Sequence, residues 1–288
     1  MNNPILVSTI AYDGYDLETT LEAMAAAGVE NVELAYSEAY TAPVTEDNFS
    51  KAAADSVRAA LKASGLRCPC LAAHTDMSLP ASVDKFKRRI DFAGYLGAEY
   101  IVSTAGPIAN RDQFLKNIRP LGEYAARAGV TICLENMGDG RPNIIDSAAP
   151  AVELIDEINL SSVKINYDFA NLLPHCSERL RPEDDYKIAL PRAGYFHVKD
   201  VAKDENGNWY FPAIGAGTID FKSILPALTA HPEPIPLSLE LSLRITRLPD
   251  ATPIRAEASI PLETIGNVLK ESLQFVKSFT NHQPGPVL

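Results

Sequence analysis

Four glycines punctuate the first half of the chain. Gly28, Gly65, Gly97 and Gly129 each close an amphipathic run and stand just before an apolar, β-rich one. A glycine just past a helix takes the left-handed turn that ends it, so each reads as a helix C-terminus feeding a strand. Strands are expected at Ile5–Ile10, Asn31–Ala35, Leu66–Ala73, Glu99–Ala105, Val130–Glu135, Val163–Asp168, Ala193–Val198 and Ile235–Glu240. Helices are expected at Leu17–Ala27, Asp47–Ala63, Ser82–Leu96, Gln113–Ala128, Ala148–Ile158, Pro182–Leu190, Phe221–Thr229 and Leu262–Ser278. Strand–helix alternation implies parallel strands joined by helical crossovers. Eight such units in 288 residues predict a single (β/α)₈ TIM barrel over residues 1–280, with 281–288 as a C-terminal tail. That architecture needs about 250 residues. Three long loops are expected at its C-terminal face, at Asn171–Arg181, Val201–Thr218 and Ser242–Ile260.

Composition narrows the setting. The formal net charge of −11, from 26 basic and 37 acidic residues, opposes binding to nucleic acid or anionic membrane overall. No basic, apolar leader precedes the first strand, and no apolar run approaches the roughly 18 residues of a membrane span. A soluble cytoplasmic protein is expected. Cys68 and Cys70, two apart on one strand, read as core thiols facing one side, and Cys133 also reads as a core thiol. Cys176 beside His175 does not make a zinc site.

Four of the expected strands end in metal-capable side chains: Glu135 in TICLE, Asp168 in VKINYD, His197 in YFHVKD and Glu240 in PLSLE. The intervals are roughly 30–45 residues, one strand–helix unit each, so these ends meet on one face of a barrel. A lone glutamate at a strand end is more often solvated or a cap, and a lone histidine more often a hydrogen-bonded core residue. Four in succession at even spacing point to a shared site. Three oxygen ligands and one nitrogen form a hard, mixed set suited to Mn²⁺, Mg²⁺ or Co²⁺ rather than to sulfur-rich structural zinc.

The segments LEN at 134–136, DFAN at 168–171, FHVKD at 196–200, IGAGTIDF at 214–221 and LEL at 239–241 resemble the xylose isomerase-like TIM-barrel superfamily of sugar isomerases, epimerases and endonuclease-IV-like proteins. The resemblance runs over about residues 5–278. In ketose 3-epimerases of this group the residues matching Glu135, Asp168, His197 and Glu240 hold one divalent ion, usually Mn²⁺, and the two glutamates move the protons. The resemblance implies small sugar or polyol substrates and homo-dimers or tetramers. The sequence departs from it at Asn171, Arg141 and Lys203, where many epimerases carry His, Glu and Arg.

Further substrate-contact candidates are His74 at the end of the third strand and Glu33 in the second. Each has a structural alternative, a loop cap or a hydrogen bond. Lys199 shares the inward side of its strand with His197 and suits an oxyanion or a pairing with Asp200 or Glu240. Asn171 stands beside the ligand set. Trp209, the only tryptophan, reads as a lid over a sugar ring or as a surface hairpin residue. Arg244 and Arg247 read as anion binders or as loop charges. Gly215-Ala216-Gly217 reads as a tight turn before a helix, with a phosphate cradle as the other option.

Three activities are open at this level. The first is a metal-dependent sugar isomerase or epimerase that abstracts a proton beside a carbonyl, with Glu135 and Glu240 as acid and base. The second is a metal-dependent lyase or dehydratase on a keto-inositol or keto-glycoside. The third is an endonuclease-IV-like repair enzyme. It lacks support because the fourth strand ends without His, position 171 is Asn, and Tyr210-Phe211-Pro212-Ala213 offers no Asp-x-His.

Overall fold

The computed structural model describes residues 3–37 and 43–280. The tail at 281–288 lies outside the described residues. In chain order the principal elements are β1 Ile5–Ser8, α1 Leu17–Ala26, β2 Asn31–Ser37, α2 Lys51–Ser64, β3 Arg67–Asp76, α3 Ser82–Leu96 and β4 Tyr100–Thr104. They continue with α4 Arg111–Ala128, β5 Thr131–Glu135, α5 Ala148–Ile158, β6 Val163–Asp168, α6 Phe169–His175, α7 Pro182–Ala189 and β7 Ala193–Val198. The last are β8 Ala202–Lys203, β9 Trp209–Tyr210, α8 Phe221–Thr229, β10 Leu237–Leu239, β11 Ile245–Arg247, β12 Pro253–Arg255 and α9 Leu262–Thr280.

Eight parallel strands close a barrel in the order β1-β10-β7-β6-β5-β4-β3-β2. This is the expected (β/α)₈ TIM barrel. The glycine punctuation works as the spacing predicted: Gly65, Gly97 and Gly129 cap α2, α3 and α4 at φ 69–78°.

Period-2 alternation divides the barrel strands into two layers. Outward residues such as Leu34, Leu71, Ile101, Ile132, Ile165, Phe196 and Leu237 pack under the helices in one continuous core. Part of it is an aromatic cluster. Phe169 stacks on Phe196 at 5.5 Å and meets Tyr167, Tyr186 and Phe221 edge-on or tilted. Inward residues form a separate cluster of Leu6, Cys70, Ala72, Val102, Cys133 and Tyr195. This plug fills the barrel below its mouth.

Several local expectations are corrected. A register shift between β2 and β3 sends Cys68 into the outer core, while Cys70 points inward, so the two thiols do not share a face. The loop expected after β6 begins with the helix α6, because the Asp168 side chain accepts the Asn171 N–H and caps it. The other two long loops are not structureless. Their strands β8, β9, β11 and β12 pair antiparallel in a four-stranded sheet beside the barrel mouth.

Candidate metal centre

Glu135 is the last residue of β5, Asp168 the last of β6, His197 the next to last of β7, and Glu240 directly follows β10. These four strands are consecutive around the barrel. One potential ligand atom from each residue lies within 4.8 Å of the others.

Each side chain is held from behind. Asn136 grips the Asp168 peptide, with its Oδ1 accepting the Asp168 N–H at 2.8 Å and its Nδ2 donating to the Asp168 carbonyl at 3.0 Å. Asp168 Oδ1 caps α6, which leaves Oδ2 for the site. Asn171, in the first turn of that helix, donates to Glu135 Oε1 at 3.1 Å. The other Glu135 oxygen lies 3.4 Å from His74 Nε2. His197 Nδ1 faces Glu135 Oε1 at 3.2 Å and an oxygen of both Asp168 and Glu240 at 3.8 Å. Lys199, two residues on, places its ammonium 2.6 Å from Asp168 Oδ2 and 2.5 Å from Glu240 Oε2.

The electrostatics favour a cation. With Glu33 behind the ring, four buried carboxylates face one ammonium and one imidazolium, which leaves a formal charge of −2 when all are ionised. An uncompensated buried charge is costly, so such a set either takes up protons or takes up a cation. Burial pushes the Asp168 carboxyl up to about 7, against the pull of Lys199 and with the push of Glu135 and Glu240. Burial also opposes ionisation of the two glutamates. His197 and His74 override it at Glu135, and Lys199 and His197 override it at Glu240, so both end below the usual glutamate value. Burial likewise opposes the charged His197 ring, yet Glu33, Glu240 and Glu135 hold its pKa well above normal. The donor set, its closeness and its residual charge all fit a hard divalent ion.

Over the quartet lies a cavity of about 350 Å³. That is at the small end of the range for small-molecule sites. Glu135, Glu240, Lys199, His74 and Asn171 line it. It is also lined by Arg247, one of the two arginines read from the sequence as anion binders, and by Asp76, Thr104, Asp139, Phe211 and Ser242, to which the sequence did not point. Asp76 was open to detection, since it lies two residues past His74 on the same strand side. Thr104 is the last residue of β4, and Asp139, Phe211 and Ser242 come from loops, where no such periodicity helps.

Three candidate substrate contacts fall elsewhere. Glu33 is fully buried inside the barrel, 3.0 Å from His197 Nε2, and does not line the cavity. Trp209 is neither lid nor surface residue. Its ring is 3% exposed and lies under the Lys203 ammonium, and Phe211, two residues on, lines the cavity in its place. Strand pairing turns Trp209 inward, opposite Arg247. Arg244 is tied to Asp13 and to the Ala256 and Glu257 carbonyls, so its charge serves the fold. Of the two non-epimerase cations, Arg141 lines the cavity, while Lys203 pairs with Glu178 outside it.

The glycine-rich turn is a structural clamp rather than a phosphate cradle. The Asp200 carboxylate accepts the backbone N–H groups of Val201, Gly215, Gly217 and Ile219 at 2.9–3.2 Å. The donors a phosphate would need are thus taken. A Cβ on Gly217 would sit 2.2 Å from Asp200 Oδ1, so only glycine allows this approach.

The family model for the xylose isomerase-like TIM barrel matches residues 21–262. Among solved structures, a xylose isomerase domain protein from Planctomyces limnophilus superposes with a TM-score of 0.72 at 19% identity, over 98% of this chain and 100% of its own. D-psicose 3-epimerase, solved in the presence of D-fructose, gives 0.74 at 15% identity, over 98% and 100%. A probable 3-DHS dehydratase from Bacillus anthracis gives 0.69 at 16% identity, over 95% and 98%. At these identities the likeness concerns the fold. No curated protein matches the sequence.

Proposed function

The chain belongs to the xylose isomerase-like TIM-barrel family, and on that premise we propose that it is a metal-dependent isomerase or epimerase of a ketose or keto-sugar. The observation that carries this reading is the convergence of Glu135, Asp168, His197 and Glu240 within 4.8 Å beneath a cavity sized for a monosaccharide. These four residues would hold one divalent ion, with Mn²⁺ expected first. When bound, the ion polarises a carbonyl and its neighbouring hydroxyl and acidifies the carbon between them. Glu135 and Glu240, both lining the cavity and both ionised near neutral pH, act as the proton-transfer pair. Asn171 donates to one Glu135 oxygen and His74 stands 3.4 Å from the other, and the two together fix its aim. The Lys199 ammonium stabilises negative charge that develops on substrate oxygen.

The test is incubation of the Mn²⁺-loaded protein with ketoses, keto-inositols and keto-glycosides in D₂O. Deuterium should enter the carbon beside the carbonyl of at least one substrate. Silence across the panel from a protein that demonstrably holds its ion would overturn the reading.

One observation favours a second reading, a dehydratase. Lys199 puts a second proton-bearing group in the cavity, 2.5 Å from Glu240, where it suits protonation of a departing hydroxyl. The fold is also shared with a probable 3-DHS dehydratase. The same incubation separates the two, since elimination yields a conjugated, ultraviolet-absorbing product and epimerisation does not. A three-ion endonuclease gains no support: the ligand group found among the described residues is one quartet.

A further inference from the structure

Glu33 lies near the start of β2 on the inward side of the barrel. It is 0% exposed and its Oε2 sits 3.0 Å from His197 Nε2. Ser8 and Tyr195 flank the same carboxylate. The opposite ring nitrogen, Nδ1, is the one facing Glu135, Asp168 and Glu240. The ring packs edge-on against Tyr195 at 5.9 Å, which holds its plane. A neutral imidazole carries one N–H and one lone pair, and an ionised carboxylate only accepts. Beside Glu33, Nε2 must therefore carry an N–H in either charge state of the ring, and Nδ1, which faces the other three carboxylates, is the nitrogen left to bind an ion once its own proton is gone.

We infer that Glu33 is a positioning residue that fixes the tautomer and orientation of His197, so that Nδ1 is the ligand atom offered to the ion. The inference rests on the quartet being a metal centre. Glu33 touches neither the cavity nor, by its position, the substrate. It acts through the ring, as carboxylates behind metal-bound histidines do. A purely space-filling role would suit an apolar side chain at this depth, as Leu6, Cys70 and Val102 show in the neighbouring layer. A buried carboxylate costs stability unless its charge has a use.

The experiment compares wild type, Glu33→Gln and Glu33→Leu, each stripped with chelator and titrated with Mn²⁺. Gln keeps an oxygen that can accept from Nε2, whereas Leu fills the space and accepts nothing. Mn²⁺ affinity should fall in the order wild type, Gln, Leu, with a loss of about 10–100-fold for Leu. Leu binding Mn²⁺ as tightly as wild type would overturn the inference, because a space-filling role predicts that result. A second readout does not need Mn²⁺ at all. In metal-free, ¹⁵N-histidine-labelled protein, the His197 Nε2–H should give a protected downfield proton that is lost in Glu33→Leu. If it persists unchanged, Glu33 does not hold the ring. In ¹¹³Cd²⁺-loaded wild type, coupling should run to Nδ1, and coupling to Nε2 would overturn the assignment. Should wild type take up no divalent ion, the metal-centre reading fails and with it the ligand half of this inference. The metal-free proton signal then still decides whether Glu33 sets the ring.

Discussion

At Asp168 one oxygen serves the fold and the other serves the site. Oδ1 caps α6, while Oδ2 faces Lys199 and His197. Such sharing explains why a conservative change at one residue here reads out in two ways. Glu135→Gln and Glu240→Gln remove a proton acceptor but keep an oxygen ligand. Each should retain most of its Mn²⁺ and lose turnover by about 10²-fold or more. One of them should still exchange substrate hydrogen with solvent without completing the reaction. Near-normal rates in both metal-loaded variants would refute the two-glutamate mechanism. Lys199 is a different case, because its ammonium competes with any ion for Asp168 and Glu240. Lys199→Met should destabilise the metal-free protein by about 3–5 kcal/mol, the usual cost of breaking a buried pair. It should also bind Mn²⁺ more tightly than wild type. Denaturant melts and a metal titration measure the two effects, and weaker Mn²⁺ binding would contradict the competition.

Between β9 and α8, residues 214–219 are organised by Asp200 rather than by regular structure. Four backbone N–H groups end on its carboxylate, so residues 214–219 are drawn against the barrel rim. Asp200→Asn replaces one acceptor oxygen by a donor, which leaves backbone donors buried and unmatched. The expected loss is about 2 kcal/mol or more, since each unmatched group costs about 1–3 kcal/mol. Hydrogen exchange at Gly215, Gly217 and Ile219 should accelerate before the rest of the barrel opens. Gly217→Ala should act in the same direction through the close contact with Asp200. Unchanged exchange at these three amides in both variants would mean that the clamp does not hold the turn. The antiparallel sheet of β8, β9, β11 and β12 has a related task, because it brings Ile245 and Arg247 of β11 to the cavity.

Across the whole molecule the net charge is −11, and part of it is concentrated in a cluster inside the barrel. Metal binding and folding should therefore be linked. Mn²⁺ at about 100 times its Kd should add about 2.7 kcal/mol of stability. The pH dependence of the metal-free protein up to neutrality follows from His197, whose raised pKa acts in the same direction above the usual histidine value, and from Asp168. The folded pKa of Asp168 is raised to about 7, so the folded state holds this proton more tightly than the unfolded chain. Its stabilising effect is complete in acid and is lost as pH rises toward 7. The glutamates have lowered pKa values and lose their contribution only at acid pH, below the usual glutamate range. Between about pH 5 and 7 the chelated protein should thus lose stability with rising pH. The increment from Mn²⁺ should grow over the same window. Asp168→Asn should weaken both trends and leave the part due to His197, and a chelated wild type that gains stability over that window would contradict the assignment.

The sequence by itself determined the barrel and the four strand ends, because both rest on local chemistry. Helix ends at Gly97 and Gly129 are set by backbone freedom within a few residues, and Ser82–Leu96, Ala148–Ile158 and Phe221–Thr229 were readable to the residue. Inward alternation along β7 already put His197 and Lys199 on one side. What periodicity cannot carry is the pairing of segments distant in the chain. Whether Trp209 or Phe211 meets the cavity depends on β9 pairing with β11, nearly 40 residues later. Arg244 and Arg247 are three residues apart, yet Asp13, near the other end of the chain, claims the first. Glu33 and His197 lie 164 residues apart, and only closure of the barrel brings that carboxylate to the ring. Residue type and spacing announced a metal-capable quartet; the tertiary structure alone decided which side chains stand behind it, because contact across a closed barrel depends on register and not on distance along the chain.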